Sequence, residues 1–304
     1  MTGRDRFHAI PGTYYVSECT SCGLWFQNPR PDANSIPDLY PLDYSPHQDP
    51  PASVLTDSDR WVLHHDFGYK HLAVAQTRPN AFRRWLGRWH ANNDLQPRFV
   101  EGGLLVEIGS ANGARLGRLR ELGWMRLEGI EIAAAAAEEA RHRGFTVHNA
   151  PVEEGIERYK DNSIDTIIAS MLIEHLLNPF VVLERFAAKL KPGAELLFST
   201  MVRDRIDARI WKTYWKSLEL PRHMVWFRLD DVRRMLDRSF ERVQIHHQAE
   251  PVDFTGSARL RAVEQKHVLD RVLMAIGDRA LKYPVIALSL LGQTSRIVVR
   301  AVKR

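Results

Sequence analysis

Apolar residues follow two rhythms along the chain. Between positions 100 and 200, short unbroken apolar runs alternate with stretches of helical spacing. Leu104, Leu105, Val106 and Ile108 form one run, interrupted only by Glu107. So short a run reads as a strand buried on both faces. A glycine-spaced turn follows, Gly109-Ser110-Ala111-Asn112-Gly113, then a helical run from Ala114 to Leu122 closed by Gly123. Leu127 to Ile132 form a second strand ending near Glu131. Ala133 to Arg143 have pure helix propensity and stop at Gly144. Phe145 to Val147 are a short third strand, and a helix is expected over 152–159. Asp165 opens a fourth strand, Thr166 to Ser170; Pro179 suits the first position of a helix reaching Leu190; Leu196 to Thr200 are a fifth strand. A helix follows at Asp230 to Leu236. Arg242 to His246 and Ser295 to Val302 alternate apolar and polar residues, as an antiparallel hairpin closing the sheet would. Strand, glycine turn, helix and acid-ended strand make the nucleoside-binding half of a doubly wound α/β sheet.

Outside that frame the pattern changes. Residues 1–60 carry Pro29, Pro31, Pro37, Pro41, Pro46, Pro50 and Pro51, which forbid long helices and central strands, so an irregular cap on the main domain is expected. Residues 61–99 read as a helical linker or lid. In it Phe82, Trp85, Leu86 and Trp89 repeat at i, i+3, i+4, i+7, a stripe expected to pack on the sheet edge or cover a site. The main domain spans 100–304 with an insertion at 250–294. There Val268, Leu269, Val272, Leu273 and Ile276 have helical spacing; core packing is expected, with a lid, a homodimer face or a peripheral membrane contact as alternatives.

Composition narrows the partners more than the fold. Among 304 residues, Lys+Arg outnumber Asp+Glu by 42 to 37, without a basic tail or run, so a nucleic-acid partner is not indicated. Two cysteines exclude a disulfide framework, and no apolar leader opens the chain, so a reducing cytoplasm is the expected location. The apolar run from Pro284 to Leu291 is too short to be a transmembrane segment.

Chemistry concentrates at the strand ends. Gly109 and Gly113 let backbone approach a ligand. An acid such as Glu131 at the end of the second strand can accept both hydroxyls of a ribose. Glu107 would repel a pyrophosphate but suits a ligand carrying an amino acid's positive charge. Ala111 also breaks the G-x-G-x-x-G pattern of dinucleotide sites. Carboxyl ends of parallel strands face the ligand crevice, which places Ser170, Met171, Leu172, Glu174 and His175 at its floor or rim. Between 205 and 227 lie Trp211, Tyr214, Trp215, Trp226 and Phe227 with His223 among them, read as a substrate wall. His175 and His223 can serve as proton acceptors near neutrality. With Glu174 they can instead hold a divalent metal, or His175 can simply bond the start of the next helix. Cys19-Thr-Ser-Cys22-Gly23 is a knuckle able to offer two thiolates to zinc, but residues 1–18 add only His8 as a further ligand.

Three stretches together resemble S-adenosylmethionine-dependent methyltransferases with a Rossmann-like fold. VEIGSANG at 106–113 looks like that family's first motif. Residues 164–200 are similar to its fourth strand, following helix and fifth strand. PRHMVWFRLDDVRRMLDRSF at 221–240 is similar to a later segment of the subgroup with ubiquinone-type and sugar-type small-molecule methyltransferases. The resemblance implies a seven-stranded, mostly parallel sheet, S-adenosylmethionine as cofactor and a small-molecule methyl acceptor, such as a sugar, lipid or secondary metabolite. An RNA-modifying methyltransferase and a catalytically silent binding protein are the alternatives. Implied cofactor contacts are Glu107, Gly109, Ser110, Asn112, Gly113, Glu131, Ile132, Asn149, Val152, Glu153, Ser170 and Met171, with Asn149 or Glu153 standing where relatives meet the adenine. Implied catalytic residues are His175, His223 and Glu174; implied substrate contacts are Tyr214, Trp215 and Trp226. The Cys19/Cys22 knuckle resembles half of a zinc ribbon found ahead of some relatives, and the segment from Asp38 through Tyr40 to Tyr44 resembles one that lies near the cofactor or substrate mouth.

Overall fold

In the computed structural model the described residues are 1–32, 35–36, 39, 55–74 and 77–304. Tyr40 and Tyr44 lie outside them.

The expected irregular cap contains strands. β1 (Thr2–Gly3), β2 (Tyr14–Glu18) and β3 (Trp25–Gln27) pair in order, with the cysteine knuckle as the turn between β2 and β3. Proline density hid them because the prolines fall outside these short strands. Helix α1 (Asp57–Asp66) starts on a capping box in which Thr56 and Asp59 bond each other's backbone. Helix α2 (Ala81–Asn93) starts on Asn80. Its aromatic stripe packs only in part: Trp89 is half-buried against the cluster around Trp211 and Trp226, but Phe82 is 66% and Trp85 40% exposed, stacked on each other, while Gly87 and Ala91 form the buried face. Val62 of α1 explains the choice, since its side chain fills the space a Cβ at Gly87 would need.

The main sheet then builds up: β4 (Leu104–Ile108), α3 (Ala114–Glu121), β5 (Arg126–Glu131), α4 (Ala134–His142), β6 (Thr146–Asn149), α5 (Val152–Gly155), β7 (Ile164–Ser170), α6 (Pro179–Lys189) and β8 (Leu190–Met201). Next come α7 (Ile206–Trp211), β9 (Val225–Trp226), α8 (Leu229–Leu236), β10 (Phe240–His247), α9 (Pro251–Glu264), α10 (Val268–Leu290) and β11 (Arg296–Lys303). Seven strands run in the order β10-β11-β8-β7-β4-β5-β6; β8 through β6 are parallel and β10-β11 is the antiparallel closure. The doubly wound expectation is met.

Every residue of β4 is buried, and its neighbours divide between two layers. Leu104, Val106 and Ile108 pack with Phe186 of α6 and Val232 of α8; Leu105 packs with Leu116 of α3 and Ala137 of α4. Strand order reverses between β4 and β7, and such a reversal opens the crevice where ligands enter an α/β sheet. β9 belongs to the other sheet, pairing with β3 so that Trp25 faces Trp226 and Phe26 faces Val225. The amino-terminal strands are thus joined to the segment that carries His223.

The insertion corrects a second expectation. Leu273 packs inward, but Val268, Leu269, Val272 and Ile276 are 74%, 37%, 48% and 46% exposed. Helix α10 breaks at Gly277, where φ is 73°; its first half touches the core through Asp270 and Leu273, its second through Leu281 and Val285. No helix among the described residues is long and apolar enough to cross a membrane.

Candidate active site

Beyond β4 the chain turns at Gly109 (φ 70°), Ala111 (φ 44°) and Gly113 (φ 79°). A Cβ at Gly109 would meet nothing closer than Leu172 Cδ1 at 3.7 Å, so the left-handed backbone, rather than space, demands glycine there. Gly113 differs: a Cβ would press on Phe145 at 3.0 Å and Ala140 at 3.1 Å, so it seats α3 against α4. Asn112 accepts from the Ala114 N–H at 3.2 Å, and Ser110 Oγ is buried without a hydrogen-bond partner.

Two acids flank this turn. Glu107 is 4% exposed; Arg115 Nε reaches its Oε1 at 2.9 Å, while Oε2 has no hydrogen-bond partner. Burial, opposed by Arg115 and Arg118, pushes Glu107 up to about 7. Glu131 is also buried, accepting from Ala111 N at 2.8 Å and Ala133 N at 2.8 Å. A carboxylate has about four lone-pair sites, so two hydroxyls can still be accepted. Ile132 beside it is 46% exposed, an apolar surface next to the acid. Asn149 donates to Glu131 O and Ile132 O at 2.9 Å each and so fixes the strand end; Val152 is buried, and the Glu153 carbonyl accepts from Arg185 at 2.8 Å.

At the end of β7, Ser170 Oγ meets Ser199 Oγ at 3.3 Å, and Met171 adopts φ 48° with its N–H donated to Ser199. Residues held in this sparsely populated region concentrate at functional sites. Glu174 is fully buried, and burial raises its carboxyl above the ordinary range although Thr200 donates to it at 2.8 Å. His175 Nδ1 lies 3.2 Å from Arg222 O and His223 Nδ1 2.8 Å from Ser217 O, with ring centroids 4.5 Å apart at 90°. Burial, then His223, push His175 down to about 3, so the ring is neutral across the physiological range.

Arg222 holds this corner. Its guanidinium donates to both oxygens of Asp5 at 3.0 Å, both side chains being inaccessible to solvent. Burial works to raise Asp5, but the Arg222 pairing and the backbone N–H groups of Phe7 and His8 leave it below the usual carboxylate range. Arg222 Nε also donates to Glu219, which sits at φ 32°. Sequence reasoning did not single out Arg115, Thr200 or Asp5; Thr200, at the carboxyl end of the fifth strand, was the one with a readable address.

Glu174, His175 and His223 are therefore brought together, as are Glu107, the glycine turn and Glu131. The aromatic wall is placed differently. Trp215 and Trp226 are core residues whose indole N–H groups bond Asp207 at 3.1 Å and Ser217 O at 3.2 Å. Tyr214 turns its hydroxyl to Glu264 at 2.9 Å. Cys19 is partly buried and Cys22 exposed; the Cys22 and then the Ser21 backbone bonds lower the Cys19 thiol below its ordinary range. Among the described residues no third ligand joins the pair, and His8 is not grouped with it.

Residues 76–239, more than half of the chain, match the family model described as a methyltransferase domain. The chain belongs to this methyltransferase family, and it is an S-adenosylmethionine-dependent methyltransferase. No curated protein matches it. Among solved structures, a chain of the Haloferax volcanii complex of the Trm112 methyltransferase activator with a methyltransferase is 17% identical, with TM-score 0.51, covering 82% of this chain and 99% of that one. A Thermotoga maritima S-adenosylmethionine-dependent methyltransferase is 19% identical, with TM-score 0.49, covering 81% and 94%. The Streptomyces coelicolor geranyl diphosphate C-methyltransferase is 12% identical, with TM-score 0.49, covering 87% and 89%. At these identities the likeness is one of fold.

The residues present fit the cofactor. Glu107 offers a buried carboxylate oxygen lacking a donor, Ser110 an unpartnered hydroxyl, Gly109 a bare approach, and Glu131 spare acceptor capacity. Bound there, S-adenosylmethionine supplies an electrophilic methyl group on a sulfonium.

Proposed function

We propose that the protein methylates a small-molecule acceptor, of the sugar, lipid or secondary-metabolite kind, held beside Glu174, His175 and His223. The reading rests on one juxtaposition. The turn between Glu107 and Glu131 follows β4, and Glu174 and His175 follow β7, the next strand across the reversal of strand order, where His223 from the segment before β9 joins them. Glu107 would take the ammonium of the methionine tail, Glu131 the ribose diol, and Ile132 with Asn149, Val152 and Glu153 would border the adenine. Ser170 and Met171 would floor the pocket. These groups orient two reactants and exclude water, which is the main demand of an in-line displacement. A general base works best with a pKa near the working pH. His175 is held far below that, so its assigned role is to orient the acceptor rather than to carry its proton.

The test is calorimetry with S-adenosylhomocysteine followed by labelled methyl transfer to a panel of hydroxyl, amine and phenol acceptors. Binding with label in a small molecule is expected. Folded protein that takes up no cofactor product would overturn the reading, and label found only in RNA would transfer it to the RNA-modifying alternative.

A further inference from the structure

We propose that Glu174, His175 and His223 bind one divalent cation of the borderline class, Zn²⁺ or Co²⁺ in preference to Mg²⁺. One ligand atom from each lies within 4.8 Å of the other two, and among the described residues this is the group that converges so. Proximity alone would describe many polar clusters; three further features do not.

First, both imidazoles spend the same nitrogen on the backbone, His175 Nδ1 on Arg222 O and His223 Nδ1 on Ser217 O. A carbonyl can only accept, so Nδ1 carries the proton and Nε2 is the nitrogen able to ligate; that of His223 also stands 3.7 Å from Glu219 Oε2. Metal-bound histidines are oriented by this kind of contact. Second, Glu174 is 1% exposed, yet only one of its oxygens has a donor: Thr200 bonds Oε2, and Oε1 has no hydrogen-bond partner. A buried acceptor left so is costly, and a cation satisfies it better than any neutral donor. Third, the loop carrying His223 is fixed from outside, by the Asp5–Arg222 pair and by Met224 N, which donates to Glu174 O at 2.8 Å.

Two imidazole nitrogens and one carboxylate oxygen suit Zn²⁺ or Co²⁺, whereas Mg²⁺ prefers oxygen ligands and retains water. Tetrahedral bonds of about 2.1 Å bring ligand atoms to roughly 3.4 Å of one another, so uptake draws the three together. Three protein ligands leave a position for an oxygen of the acceptor, whose proton such an ion makes more acidic. That last use rests on the function proposed above; the binding itself does not.

The experiment uses full-length protein carrying Cys19→Ser and Cys22→Ser, so that the knuckle cannot supply the signal. After treatment with a chelator, Co²⁺ is titrated by visible absorption and Zn²⁺ by calorimetry, with S-adenosylhomocysteine uptake measured in parallel. One ion per chain is expected, undisturbed by equimolar Mg²⁺. Glu174→Gln, His175→Asn and His223→Asn should each weaken it by at least about 100-fold while uptake of S-adenosylhomocysteine persists. Should a histidine variant misfold, the near-isosteric Glu174→Gln decides. Absence of stoichiometric uptake by protein that still binds S-adenosylhomocysteine overturns the proposal, as does uptake unchanged by Glu174→Gln. Metal uptake without S-adenosylhomocysteine binding would support the cation site and strike the functional reading instead.

Discussion

Replacing Glu107 by glutamine separates the cost of burying an acid from its use. Burial lifts this carboxyl from 4.5 to about 7, against the pull of Arg115. The folded chain therefore holds a proton between those values that the unfolded chain has released. Stability falls as pH rises through that window, and the whole cost is present above pH 7. At about 1.36 kcal/mol per unit, the cost comes to roughly 3 kcal/mol or a little more at pH 8 to 9. Glutamine carries no charge, so E107Q should be more stable than the parent at pH 8 and equal to it near pH 4.5. Arg115 loses its ion pair but keeps the Asp94 carbonyl and 20% of its side chain in solvent, which trims the gain only modestly. A melting-temperature rise of roughly 5 °C at pH 8 is the corresponding expectation. Cofactor binding should move the other way: removing the charged acceptor for an ammonium costs about 1.5–3 kcal/mol, roughly a 10- to 100-fold loss in affinity. Thermal unfolding from pH 4.5 to 9 and calorimetry with S-adenosylmethionine check both. A stability difference that does not vary with pH, or an unchanged affinity, would refute the reasoning.

Glu131→Gln should weaken S-adenosylhomocysteine binding about 10- to 100-fold with modest loss of stability, whereas Glu131→Ala also strands the N–H groups of Ala111 and Ala133 and should lower the melting temperature further. Gly113→Ala meets both a left-handed backbone and the Phe145 and Ala140 contacts, and should cost about 2 kcal/mol or more in denaturant unfolding. Asp5→Ala leaves buried Arg222 with Glu219 as its remaining acid, a loss of about 1.5–3 kcal/mol, while the double change Asp5→Leu with Arg222→Met should recover part of it. The Asp5 carboxyl is depressed, so the stability it contributes should hold above its unfolded pKa of 3.8 and vanish as acid titration passes below it.

The parallel sheet was legible because its central strands, β4 and β7 above all, are buried on both faces and so read as short apolar runs. Glu131 at the end of β5 and Pro179 at the start of α6 were readable for the same local reasons. The third strand lies one residue later than expected, since Phe145 packs with α3 and α4 rather than entering the ladder. What failed was partner choice. Amphipathic spacing marks a face on α2 and on α10 but does not say whether another element covers it; on α2 the small residues Gly87 and Ala91 took the contact instead. The site was half legible. Carboxyl-end addresses located Glu174 and His175, yet the Arg115–Glu107 and Asp5–Arg222 pairs join residues whose meeting depends on tertiary folding, and Asp5 lies 217 positions from its partner.

The pairing of β3 with β9 has a practical corollary. The first thirty residues brace the segment that carries Arg222 and His223 through Trp25, Phe26 and Asp5, yet they lie outside the stretch that the family shares. A chain trimmed to residues 76–239 would lose its brace and its two closing strands together. Conversely, if the acceptor sits beside His223 as proposed, changes confined to that leading segment would shift acceptor preference and leave the turn between Glu107 and Glu131 untouched.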